Sequence, residues 1–463
     1  MAYATTNPYT GEILKTFPDA TNAEVKHALE QGHAAFALWK NRPVAERVAI
    51  LQKAADLLRR DHTRYAKLLT LEMGKLLSEA EAEVELSAAI FEYYVANAEK
   101  QLAPEKLPSK DPAVTEAMLV HEPLGIILAI EPWNFPYYQI ARIIAPQLAA
   151  GNVVVLKHAS NVPQCAEAFE KLMLEAGLPA GGFKNLFATR GQLENIINDP
   201  RVHGVALTGS EDAGAVVAAQ AGKALKKSTM ELGGADAFIV LGDAELDKAV
   251  KWAVFGRHWN AGQVCCSSKR IIVVDAIYDD FIKRYKEGVA ALKAGDPMDS
   301  ATTLAPLSSQ KAADDVRQQV KEARAHGATV TVIGAEVPKE GAFVQPVMLT
   351  GLTPENPAYY QEFFGPVSLI FKAKDEEEAI AIANDSPFGL GGSVFTRDIA
   401  HGMEVAKKVS TGMVYINHPT AVKADLPFGG LRRSGYGREL IDLGLKEFVN
   451  HKLIGVTDID GGF

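Results

Sequence analysis

Cysteine is scarce in this 463-residue chain: Cys165, Cys265 and Cys266 are the whole complement. Three are too few for a disulfide framework, so a reducing compartment is expected and any cysteine that matters acts by packing or by chemistry. An excess of positive charge is missing too. The 48 Lys and Arg are interspersed with 57 Asp and Glu, for a net charge of −9 and a pI of about 5.7, and no basic stripe offers a footprint for nucleic acid. No apolar run approaches the ~20 residues that span a bilayer. The opening Met1-Ala2-Tyr3-Ala4-Thr5-Thr6 lacks the charged-then-apolar order of a secretory leader. Repeats and low-complexity tracts are absent as well. These absences predict a soluble, cytoplasmic protein with no nucleic-acid or membrane partner and no resident metal.

What is present is apolar residue, 48% of the chain, enough for a large core and two or three domains. The first hundred residues read as helices. Thr21 and Glu24 have capping-box spacing, and Val44, Val48, Leu51, Ala55 and Leu58 recur at three and four residues on one face. From Leu124 short apolar runs alternate with helical stretches: 124–130, 153–156, 183–187, 202–207 and 238–241. A second such series follows Gly242, at 270–274, 329–333, 367–371, 392–396 and 413–416. Alternation of this kind predicts an α/β fold with mostly parallel sheets and crossover helices. One crossover should run from Pro163 to Ala176 and stop at Gly177. A boundary is placed near 232–234. The stretches 107–123 and 446–463 look extended, belong to neither series, and could pair between subunits.

Four segments carry candidate chemistry. Thr208-Gly209-Ser210 follows a strand and opens a helix, a turn whose amides can meet a phosphate; it matches neither the usual dinucleotide fingerprint nor a Walker A loop, and many such turns merely connect. Asn260-Ala261-Gly262-Gln263-Val264-Cys265-Cys266 holds two of the three cysteines, either of which is a small buried hydrophobe or a nucleophile whose thiolate is favoured by its surroundings. Met230-Glu231-Leu232-Gly233-Gly234 ends a strand in a carboxylate, a base or a solvated end group. Glu131-Pro132-Trp133-Asn134-Phe135-Pro136 follows another strand, and Asn134 can donate to an oxyanion or cap the next helix. Tyr138 and Arg142 share a helical face beyond it.

The order and wording of these segments resemble the aldehyde dehydrogenase superfamily. The matches run from Asn7-Pro8-Tyr9-Thr10-Gly11-Glu12 through Pro132-Trp133-Asn134-Phe135-Pro136, Thr208-Gly209-Ser210, Glu231-Leu232-Gly233-Gly234 and Gly262-Gln263-Val264-Cys265 to Glu362-Phe363-Phe364-Gly365-Pro366 and Pro427-Phe428-Gly429-Gly430. The resemblance implies a parallel-sheet dinucleotide-binding domain (1–106 and 124–232), an α/β catalytic domain (233–445) and a β oligomerisation arm (107–123 and 446–463) in a homodimer or homotetramer. It implies oxidation of a small aldehyde to the acid through a thioester on Cys265, with the oxyanion held by Asn134 and water activated by Glu231.

The same resemblance places NAD or NADP across Ile130, Trp133, Asn134, Lys157, Ser160, Gly209, Ser210, Leu232, Glu362 and Phe364. Ser160 stands where strict NAD users often carry Glu, so NADP should be accepted. Tyr138, Arg142, Trp259, His418 and Thr420 fall where the family lines its substrate tunnel, and a tunnel Arg suits a carboxylate, which favours succinate semialdehyde. Members acting on that aldehyde often carry Arg where this chain has Trp259, which keeps lactaldehyde or glycolaldehyde as the alternative. A non-catalytic relative, a coenzyme A acylating enzyme and a Cys265 hydrolase using His258 are the remaining rivals.

Overall fold

Thr21 and Glu24 cap the first helix, Asn22–Trp39, as their spacing predicts. The Glu24 amide donates to Thr21 Oγ1 at 3.2 Å and Thr21 N donates to Glu24 Oε2 at 2.7 Å, which satisfies two of the donors left open at a helix start. The next helix, Val44–Arg60, buries Leu51, Ala55 and Leu58 against the long helix Leu77–Gln101. The structure, a computed structural model, describes residues 3–461; Met1, Ala2, Gly462 and Phe463, at the tips of the expected cofactor domain and arm, lie outside the described residues.

The fifth run of the first series, 238–241, belongs to the second sheet as Ala237–Val240. The other four join Lys227–Glu231 and Gly435–Tyr436 in a six-stranded sheet in the order Gly435–Tyr436, Lys227–Glu231, Val202–Thr208, Ile126–Glu131, Val153–His158, Phe183–Asn185. All neighbours are parallel except the first pair. Val153, Val154, Val155 and Leu156 are each fully buried, because helices cover both faces of a parallel sheet and its strands become continuous apolar runs. The crossover Pro163–Glu175 ends two residues before Gly177, whose φ is +98°.

The second series forms a seven-stranded sheet in the order Thr329–Val332, Val347–Thr350, Val367–Ala373, Arg270–Val274, Ala237–Val240, Gly392–Phe395, Tyr415–Ile416. Val347–Thr350 was not anticipated, since four residues after a proline carry too short a pattern. The hairpin of Tyr3–Thr6 with Ile13–Phe17 was also missed: four of the five residues in its second strand are exposed, so no alternation marks it.

The extended stretches pair with each other: Val449–Thr457 runs antiparallel to Val114–Pro123, which also pairs with Glu105–Lys106, and Val449–Thr457 is an outer strand of this small sheet. The expected domain boundaries need correction at residues 435–446, which do not remain with the second sheet. Gly435–Tyr436 joins the first sheet beside Lys227–Glu231, and the helix Ile441–Lys446 packs on Pro136–Ala150 and Leu77–Gln101. That return carries Glu439 beneath the first sheet's carboxyl edge.

Candidate active site

Three strands of the first sheet end side by side at the edge where open parallel sheets bind ligands. Ile126–Glu131 leads into the Pro132–Phe135 turn, Val202–Thr208 into Gly209 and Ser210, and Lys227–Glu231 into Leu232 and Gly233. The 259–268 loop and residues 362–364 face them. Between the two lies a cleft of about 270 Å³ lined by Trp133, Asn134, Gly209, Ser210, Leu232, Cys265, Glu362 and Phe364, all expected, and by Pro132, Gln139, Thr208 and Gly233, which sequence reasoning did not assign.

Cys265 is half-buried in this cleft, whereas Cys266 and Cys165 are buried. A hydrogen bond from the Cys266 thiol pulls Cys265 below the usual thiol range; burial opposes this, and the charges of Lys269 and Arg142 reinforce it. Cys266 is held well above that range by the same contact. Lys269, 1% exposed, spends its ammonium on the carbonyls of Cys265 (2.6 Å), Val264 (2.7 Å) and Gly234 (2.8 Å) and on Glu362 Oε1 (2.8 Å). Glu362 also accepts from Gly234 N at 3.0 Å, so one buried cation ties the cysteine's backbone to the carboxylate across the cleft. A lysine directly before the fully buried strand Arg270–Val274 was the signal available for it in the sequence.

Asn134 does not cap the helix Pro136–Ala150. The N-cap is Phe135, and the first-turn amides of Tyr137 and Tyr138 donate to Glu83 Oε1 at 2.8 and 3.1 Å. Asn134 is instead buried, with Nδ2 donating to Gln263 O at 3.2 Å, two residues before the cysteine.

Glu231 is no solvated strand end. It is 2% exposed and both carboxyl oxygens lack a hydrogen-bond partner. Burial raises its pKa well above the usual carboxylate range and the Glu439 charge adds to this, against the pull of Arg142. Glu439 and Glu131 are buried nearby and raised in the same way, each first by burial. Three carboxyls therefore surround one guanidinium, and a low-dielectric site will not hold all three ionised.

Arg142 requires a correction. Expected to be free for a substrate carboxylate, it is ion-paired through Nε with Glu439, donates to Tyr138 Oη at 3.0 Å and to Thr208 Oγ1 at 2.8 Å, and is 1% exposed. The helical spacing correctly joined it to Tyr138; nothing local announced Glu439, which arrives 297 residues later in the chain. Thr420 is likewise buried, with Oγ1 donating to Gly392 O at 3.4 Å, and is not among the residues that line the cleft.

Trp259 packs on Phe135 (5.2 Å between centroids) and on Phe255 (5.9 Å), and Trp252 links Phe255 (5.7 Å) to His418 (4.3 Å), so Trp259 and His418 bracket an aromatic path outward. His258 bonds to Val254 O at 3.0 Å, and burial lowers its pKa to about 4, a poor base for a hydrolase.

On Val153–His158, the strand beside Ile126–Glu131 in the first sheet, burial, helped by the charge of Arg190 and opposed by Asp19, lowers Lys157 to about 8. Arg190, in the short turn Arg190–Gln192, is a second cation near the expected ribose end that the sequence reading omitted. Lys157 should lose its charge as pH rises through about 8, so the KM for NADP relative to that for NAD is expected to rise above that pH; a ratio flat from pH 7 to 9 would remove Lys157 from 2′-phosphate binding.

The residues fit a dinucleotide. Gly209 has no atom nearer than 3.6 Å to an added Cβ, leaving room at the head of the helix Glu211–Lys223, whereas a side chain on Gly233 would meet Glu362 Oε2 at 2.3 Å. Ser210 caps that helix through Ala213 N at 3.3 Å. Ile130, next to last in its strand, is half-buried directly beside Lys157 on the neighbouring strand.

The aldehyde dehydrogenase family model matches residues 1–454. A succinate-semialdehyde dehydrogenase [NADP(+)] of Deinococcus radiodurans is 49% identical over 452 residues, covering 98% of this chain and 94% of the relative. Succinate-semialdehyde dehydrogenase [NADP(+)] 1 of Mycobacterium tuberculosis is 43% identical over 457 residues, covering 99% and 100%. The crystal structure of a Streptococcus pyogenes succinic semialdehyde dehydrogenase in complex with NADP+ superposes with a TM-score of 0.96 at 48% identity, covering 99% of this chain and 100% of that one.

Proposed function

Because the chain belongs to the aldehyde dehydrogenase family, we propose that this NAD(P)-dependent enzyme oxidises succinate semialdehyde to succinate on Cys265, with NADP as an accepted cofactor. The observation that carries the reading is the seating of a thiol of lowered pKa in one cleft with the Asn134 amide and Glu362, beside a buried, unpartnered Glu231. A bound nicotinamide supplies the oxidant that turns the cysteine adduct into a thioester.

This chain's residues do the rest. Cys265 thiolate attacks the carbonyl carbon, and the Asn134 amide and the Cys265 backbone N–H hold the oxygen that becomes negative. Lys269 keeps the peptide around Cys265 in place. Glu231, in its ionised form, takes a proton from the water that cleaves the thioester. With such a base retained, transfer to water is favoured over transfer to coenzyme A. Glu362 and Phe364 would receive the nicotinamide ribose and ring, and Lys157, Ser160 and Arg190 the adenosine ribose.

The substrate follows from the relatives' names rather than from Arg142. A substrate carboxylate would extend along Phe135, Trp259, Phe255 and Trp252 to His418. The aromatic lining supports a second reading, an uncharged small aldehyde such as lactaldehyde or glycolaldehyde. The exposed Leu453, Ile454 and Val456 on the outer strand support pairing of this arm with a second copy, in a homodimer or homotetramer.

Cofactor reduction is the test. With succinate semialdehyde, lactaldehyde and propanal, wild type is expected to form NADPH fastest with the first, and Cys265→Ala with none. Preference for propanal would leave the dehydrogenase and sink the substrate; no reduction with any aldehyde would sink both.

A further inference from the structure

Asn260 was read only as part of the cysteine segment, and the chemistry above gives it no role. It is fully buried and opens a run of three left-handed residues, with φ of +51° at Asn260, +54° at Ala261 and +80° at Gly262. Asn tolerates that region better than most residues, and such backbone persists where its surroundings enforce it. The enforcing group is Glu79, one turn into the helix Leu77–Gln101. Its Oε1 accepts from Asn260 N at 2.9 Å and its Oε2 from Leu76 N at 3.2 Å.

The Asn260 amide then joins two segments that are far apart in sequence. Its Nδ2 donates to Asn134 O at 3.1 Å and to Gln263 O at 3.2 Å, and Gln263 O is the same atom that receives Asn134 Nδ2 at 3.2 Å. Gln263 is fixed in turn by Nε2 donating to Asn260 O at 3.1 Å and by Ser308 N donating to Oε1 at 2.8 Å. One hydrogen of the Asn134 amide is thus aimed by Gln263 O, the backbone carrying Asn134 is pinned by Asn260, and Asn134 itself lines the cleft beside Cys265.

We propose that Asn260, seated by Glu79, is a positioning residue that aims the Asn134 amide at the carbonyl oxygen of an aldehyde held over Cys265. This rests on the roles given above to Asn134 and Cys265. Asn260 need not touch substrate: it sets the distance between an amide on the first sheet's edge and a thiol on the second unit's loop.

The test compares aldehyde oxidation with alkylation of Cys265 by iodoacetamide, in which sulfur bonds to carbon, iodide leaves and no oxyanion develops. Asn260→Gly keeps the left-handed backbone and removes the amide. It is expected to lower kcat about tenfold or more, on the scale of a lost oxyanion donor, with the cofactor KM and the alkylation rate each within about twofold of wild type. Equal loss of oxidation and alkylation would mean that Asn260 only holds the loop together, and unchanged kcat would also overturn the proposal. Asn134→Ala separates the premises: if it retains kcat, the oxyanion role itself fails, whereas if it loses kcat and Asn260→Gly does not, only the positioning role fails. Should Asn260→Gly not fold, Glu79→Ala carries the same comparison, with a severalfold fall in kcat at constant alkylation expected and no fall overturning it.

Discussion

Glu231→Gln is expected to release one equivalent of reduced cofactor per subunit and then stall, with steady-state kcat lower by about 10²–10⁴-fold, the usual contribution of a positioned general base. Attack by Cys265 and loss of the aldehyde hydrogen do not need this carboxylate, so the first turnover should survive. What fails is cleavage of the thioester, because Gln cannot take the water's proton. Rapid-quench measurement of the burst, with the acyl group located on Cys265 by mass spectrometry, reads the two halves separately. Loss of the burst together with kcat would move Glu231 to thiol activation, and full turnover would leave it a structural carboxyl. In wild type the base must be ionised, and its pKa stands above the usual range because it is buried with Glu439 nearby. The kcat profile should therefore rise with pH across a limb placed above that range, and Glu231→Gln should flatten it.

How much of this was legible in the sequence depends on whether a residue's partner lay close by in the chain. The capping box at Thr21, the apolar face of Val44–Arg60 and the parallel-strand runs are local patterns, and they reappear with shifts of one or two residues at their ends. Among the cleft-lining residues, Trp133, Asn134, Gly209, Ser210 and Leu232 follow strand ends, where the alternating pattern places them at one edge, whereas Cys265, Glu362 and Phe364 lie on loops and were assigned through the family resemblance. Arg142 was misread because its partner is supplied by a stretch after the second sheet that crosses back to the first. Lys269 and Asn260 were passed over for a related reason: most of their partners are backbone carbonyls, which leave no trace in residue type, and their carboxylate partners, Glu362 and Glu79, lie far away in the chain.

Arg142→Met should be among the most damaging single changes in the chain. The guanidinium is paired with Glu439 inside a cluster of three buried carboxyls, and breaking a buried pair by removing one partner costs about 3–5 kcal/mol, read as a lowered midpoint of thermal unfolding. The surviving protein should also change its pH dependence. Arg142 favours the ionised form of Glu231, so without it the carboxyl's pKa moves higher still, and the rising limb of kcat should shift to higher pH. Because Arg142 is occupied by Glu439, Tyr138 and Thr208, turnover of succinate semialdehyde and of propanal should fall by the same factor. A rise of tenfold or more in KM for succinate semialdehyde alone, with propanal untouched, would mean that the guanidinium leaves Glu439 to meet a substrate carboxylate. In that case the buried acids would have to take up protons as it moves, and proton uptake on binding succinate semialdehyde, absent with propanal, would record it.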